Sequence, residues 1–154
     1  MNRRIALLAS GLLISLLAPV TSAGAAPTGV SCIVSLSPSA TQTLFAIGAG
    51  PQVKAVDRDA TWPVGKLPST RIDAFSPSAE AIAGICPSIP GRTSHRPDLV
   101  VISYNANSVK EKLRALGVPV IEQDAPSTLT QAFDQMRQLG RLTGHAPQAT
   151  ALVN

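Results

Sequence analysis

Side chains able to do chemistry are few in this chain and lie far apart. Its 154 residues include 9 Asp and Glu, 2 His and 2 Cys. No G-x-S-x-G elbow, phosphate-binding glycine run or H-E-x-x-H helix is present. Gly48-Ala49-Gly50 opens like a dinucleotide fingerprint, but Val53 stands at its third glycine position and the pair follows a helix instead of a strand. We read it as a helix stop. His95 and His145 have no cysteine or carboxylate at ligand spacing, so neither a metal nor a cofactor is expected. Acyl transfer would need a nucleophile and a base within hydrogen-bond reach, and nothing pairs them here. The chemistry on offer is binding, not catalysis.

The aromatic residues carry that reading. One Trp, one Tyr and three Phe are present: Trp62, Tyr104, Phe45, Phe75 and Phe133. Phe45 and Phe133 fall on helical apolar stripes and read as core. Trp62, Phe75 and Tyr104 each follow the end of an apolar run, where loops leave a sheet. Aromatic faces supply contact area at small entropy cost, which suits a flat, largely apolar ligand. Ser37, Pro38 and Ser39 belong to the same edge. Asp57, Arg58, Asp59 and Asn105 would add polar groups there, although solvated surface charge explains them equally well.

The elements that must position these residues are short. Ile33–Leu36, Val53–Val56, Leu99–Ser103 and Val118–Ile121 read as four buried-type strands. Helices are expected over Pro38–Ile47, Pro77–Ile85, Ser108–Leu116 and Thr128–Leu142, with another starting near Pro147. Ser37 suits an N-cap with Pro38 at the first helical position, and Gly48 suits the stop. Ser108 with Glu111 reads as a capping box, and Thr128 with Gln131 as a weaker one. The alternation predicts an α/β lobe, a small parallel sheet of about four strands with helices on both faces. Ligands then sit at the carboxyl ends of the strands. Two segments break the rhythm: a long loop from Asp57 to Phe75, and a surface insertion over 84–96.

Cys32 opens the first strand and Cys86 ends the helix that returns to the starting edge. A bridge between them is expected at the amino-terminal rim, opposite the binding edge, with a structural role. Arg3 and Arg4 precede an apolar run from Ile5 to Val20, and Ala23-Gly24-Ala25 fits a signal-peptidase site. Residues 1–25 therefore read as an export signal, with Arg3-Arg4 a faint twin-arginine feature. About 16 apolar residues fall short of the ~20 a spanning helix needs. Without that arginine pair the formal net charge drops from +4 to +2. No basic cluster or aromatic ladder points to nucleic acid.

Five segments in register, IVSLSPSATQTLFAIGAG, VKAVDRDATWP, FSPSAEAIAG, RPDLVVIS and LRALGVPVI, resemble the substrate-binding proteins of vitamin B12 and iron–siderophore ABC importers. In that family two α/β lobes face each other across a cleft and are joined by a rigid helix. The resemblance covers the amino-terminal lobe, residues 26–145, and ends as the joining helix begins at 146–154, so the second lobe is absent from the matched sequence. It implies a secreted, non-enzymatic protein that captures a cobalamin, another corrinoid or a ferric siderophore and delivers it to a permease. Ser37, Pro38 and Ser39 would line the cleft floor. Asp59 to Trp62, and Phe75, match positions of ligand contact. Glu80 matches the carboxylate offered to permease arginines; alone, it reads as a surface acid favoured by its helix dipole. Trp62 tilts the ligand toward a corrinoid, since anionic iron complexes would want more arginine than Arg58.

The pattern also departs from the family. The 84–96 insertion interrupts a normally short connection, and Gln42 stands where glutamate is common. One lobe would bury about half of a ligand, against ~70–90% in good small-molecule sites. A truncated remnant with little transport activity is therefore an alternative, and a secreted α/β hydrolase is a rival from another class.

Overall fold

A computed structural model describes residues 29–88 and 94–154. The expected export signal at 1–25 and the middle of the 84–96 insertion lie outside those residues. Five parallel strands form one sheet in the order β3-β2-β1-β4-β5: β1 (Ile33–Leu36), β2 (Val53–Asp57), β3 (Arg71–Ile72), β4 (Leu99–Ile102) and β5 (Val120–Glu122). The fifth strand, β3, lies inside the stretch expected to be one long loop. Two residues, one of them an exposed arginine, are too short to show a period.

Alternation along the strands separates two apolar cores. Ile33, Val56, Leu99 and Val101 face α1 (Pro38–Ala46), α4 (Leu129–Thr143) and α5 (Ala146–Val153) through Leu44, Ile47, Leu139 and Ala149. Val34, Leu36, Ala55, Val100 and Ile102 face α2 (Ala79–Ala83) and α3 (Val109–Ala115) through Ile82, Val109 and Leu113. Both faces are covered, as a parallel sheet requires.

Local signals set the helix ends in three cases. The Ser37 hydroxyl accepts from the Ala40 N–H at 3.3 Å, and Pro38 begins the helix. Thr128 accepts from the Gln131 N–H at 3.1 Å, but the Gln131 side chain turns back to Ser127 at 2.8 Å and so does not complete a reciprocal box. Ser78 accepts from the Ala81 N–H at 3.2 Å, which leaves Pro77 outside α2 and shortens that helix.

The expected Ser108 box fails. Ser108 has left-handed backbone angles and makes no capping bond, so the Ser108–Glu111 box does not form. Asn105 replaces it, accepting from the Lys110 N–H at 2.9 Å and donating to Glu111 Oε2 at 2.7 Å.

At the amino-terminal rim Cys32 and Cys86 form a disulfide with Cα atoms 6.0 Å apart. Asp98 closes the same rim, its Oδ2 accepting from the Ser31 and Cys32 N–H groups at 2.8 and 3.0 Å. At the α4–α5 turn, a Cβ on Gly140 would lie 2.4 Å from that of Ala149, so the two helices cross where only glycine fits.

Candidate ligand-binding edge

The carboxyl edge of the sheet divides into two flanks. Beside α1, the chain leaves β1 through a dense hydroxyl network. Ser35 Oγ donates to the Ser37 carbonyl at 3.1 Å, and Thr41 Oγ1 lies 2.9 Å from both Ser35 Oγ and that carbonyl. Ser35, Ser37 and Thr41 are fully buried. Ser37 therefore supports the edge from beneath and does not line a cleft floor. Ser39, 3.1 Å from Ser37 Oγ, is the exposed hydroxyl of the triplet, with Pro38 partly exposed.

Ser39 opens onto a groove of about 540 Å³. Trp62, Gln123, Phe133, Met136 and Leu152 form much of its wall. Phe133, expected in the core, is only half-buried here. Trp62 is 46% exposed and also lines a second depression beside Phe45, Pro51 and Lys66.

The other flank is built from three separate loops. Phe75 follows β3 and Tyr104 follows β4, strands separated by β2 and β1. Their rings nevertheless meet with centroids 5.4 Å apart at a 45° tilt, so the pair arches over the ends of the two central strands. Phe75 remains 63% exposed and Tyr104 37%. An exposed ring pair supported on strand ends offers a flat apolar face to a ligand. The three edge aromatics thus do not gather in one place: Phe75 and Tyr104 pair, while Trp62 serves the α1 flank.

Asp57, the last residue of β2, is only 4% exposed. Val56 packs toward α1, so alternation turns Asp57 to the α2–α3 side, where its charge acts on Tyr104. Its Oδ1 accepts from the Asp59 N–H at 3.0 Å, and Oδ2 has no hydrogen bond among the described residues. Burial raises the Asp57 pKa; the Asp59 N–H bond opposes that shift and the Asp59 charge adds to it. Burial and then the carboxylates of Asp57, Asp73 and Asp59 raise the Tyr104 pKa, keeping its phenol a donor.

Arg58 pairs with Asp73 at 2.8 Å and stands 4.0 Å from Asp59. Arg71 donates to the Ala60 carbonyl at 2.7 Å and approaches that of Asp57 at 3.4 Å, holding the loop that carries Trp62. Asp73 and Arg71 escaped sequence reasoning because their partners come from another strand.

Asn105 has both ends of its amide engaged by α3, so its role here is to hold that helix start. Glu80 is exposed in the first turn of α2, its Oε2 accepting from the Ser78 hydroxyl at 3.2 Å. Among the described residues no group of three His, Cys, Asp or Glu is placed to hold a metal ion, and no helix is long and apolar enough to cross a membrane.

A parallel sheet with helices on both faces and exposed aromatic residues at its carboxyl edge defines an α/β lobe. Residues 33–154 match the periplasmic binding protein family, and the chain belongs to that family. It is 27% identical over 143 residues to a cobalamin-binding protein of Halobacterium salinarum, an alignment covering 86% of this chain and 36% of that protein. Among solved structures, the periplasmic heme-binding protein RhuT of Roseiflexus sp. RS-1 is 28% identical with a TM-score of 0.63, over 81% of this chain and 45% of that one. The periplasmic vitamin B12 binding protein BtuF of Vibrio cholerae shares the fold with a TM-score of 0.66 at 23% identity, over 81% of this chain and 46% of that one. The chain thus spans less than half the length of these relatives, all of them described as binding proteins.

Proposed function

We propose that this chain is the amino-terminal lobe of an extracytoplasmic solute-binding protein that captures a corrinoid or a ferric siderophore complex. The observation that carries the reading is the exposed Phe75–Tyr104 pair on the carboxyl edge of a lobe of this family. Ser39, Trp62 and Phe75 contact the ligand, with Asp59 and Tyr104 as polar partners, while Ser37 and Asn105 hold the edge in shape. Residues 26–145 make the lobe, and α5 begins the helix leading to the opposite one. The exposed Glu80 carboxylate docks on arginines of an ABC importer permease, which receives the ligand.

Trp62 is the only tryptophan, so its fluorescence reports on the edge directly. Cyanocobalamin or a ferric siderophore should quench it; no change with any of these or with haem at high micromolar concentration removes the proposal. Glu80→Arg should abolish import while ligand binding persists. Loss of both would mean that Glu80 supports the fold and does not dock.

A further inference from the structure

We infer that the α2–α3 flank selects ligands by charge, accepting uncharged, amide-bearing complexes and disfavouring anionic ones. The inference rests on the function proposed above and specifies its ligand class. Asp57, Asp59 and Asp73 share this edge with Arg58 and Arg71, so carboxylates outnumber guanidinium groups.

Both arginines are engaged within the edge. Arg58 is neutralised by Asp73 at 2.8 Å, and Arg71 is turned to the backbone carbonyls of Ala60 and Asp57. Asp57 is 4% exposed, and its Oδ2 has no hydrogen bond among the described residues and is not sealed from the surface. An unbonded carboxylate oxygen at a largely buried residue gains from a donor N–H and is opposed by another carboxylate. The amide-rich rim of a corrinoid, or an uncharged ferric hydroxamate, supplies such donors. Haem presents propionates and a ferric catecholate is strongly anionic, so like-charge juxtaposition works against both.

Isothermal titration of the full chain with cyanocobalamin, a neutral ferric hydroxamate, haemin and a ferric catecholate tests this. At least one uncharged complex should bind roughly tenfold or more tightly than either anionic one. The tighter of the two uncharged complexes identifies the ligand's source. Asp73→Asn releases Arg58 and should narrow the preference about fivefold. Asp59→Asn, at an exposed site, should narrow it less and serves if the first variant does not fold.

Equal or tighter binding of haemin or the catecholate overturns the inference, and the proposed function stands wherever cyanocobalamin or a ferric siderophore also binds. An unchanged preference in both variants, each folded by circular dichroism, overturns it as well. Binding of none of the four removes the proposed function and this inference together.

Discussion

The two flanks of the carboxyl edge are built on opposite plans. Beside α1, one continuous segment from Ile33 to Ala46 makes strand, turn and helix, and its hydroxyls satisfy one another. That segment is uncharged and its hydroxyl network is buried, with Ser39 as the exposed hydroxyl. Beside α2 and α3, the surface is assembled from loops after β2, β3 and β4, and it holds the charge and the exposed aromatic pair. The first plan yields a fixed support. The second collects side chains from distant positions, so it can change specificity while the core stays intact.

Substitutions should separate the two. Leu44 is fully buried between α1 and the sheet, and Leu44→Ala should cost about 2–5 kcal/mol in chemical denaturation. A loss under about 1 kcal/mol would show that the α1 flank is not the rigid one. Ser37→Ala removes the helix cap and the bond to Ser39, and should cost about 1 kcal/mol by the same measurement.

Asp57→Asn tests the other flank through pH. The raised folded-state pKa means that folding disfavours the ionised carboxylate. Stability from this group is full below the unfolded-state pKa, and is lost as pH rises through the folded-state value. The variant can still accept from the Asp59 N–H, so its melting temperature should match the parent in acid and exceed it near neutrality. A constant offset across pH would rule out titration of Asp57 as the cause.

Phe75→Ala should have the smallest effect on stability, within about 0.5 kcal/mol, because the ring is 63% exposed. It should weaken ligand binding about tenfold by removing half of the tilted ring pair. A large stability loss with unchanged affinity would make the pair a fold element instead of a contact surface.

Legibility followed the same division. The β1–α1 junction was readable because the Ser37 cap and Pro38 act within one turn of chain. The Ser108 box misled because Asn107 and Ser108 both adopt positive φ, which takes the serine hydroxyl away from the helix start. Asn105 took over that role. Its residue type fits an edge ligand contact equally well, so sequence spacing did not distinguish the two roles. Strand β3 was missed because its pairing with Val56 and Asp57 comes from the sheet and not from a pattern of its own.

Sequence by itself determined the parallel α/β class, the β1–α1 junction and the ends of β2 and β4, after which Trp62 and Tyr104 follow. Hydrophobic alternation and capping operate over a few residues, and a linear reading captures them. Only the tertiary structure decided that Phe75 meets Tyr104 across two intervening strands, that Trp62 stands on the opposite flank, and that Arg58 is occupied by Asp73. Those contacts depend on strand order and on the course of separate loops. Strand order follows from burying both faces of the sheet, a condition on the whole chain.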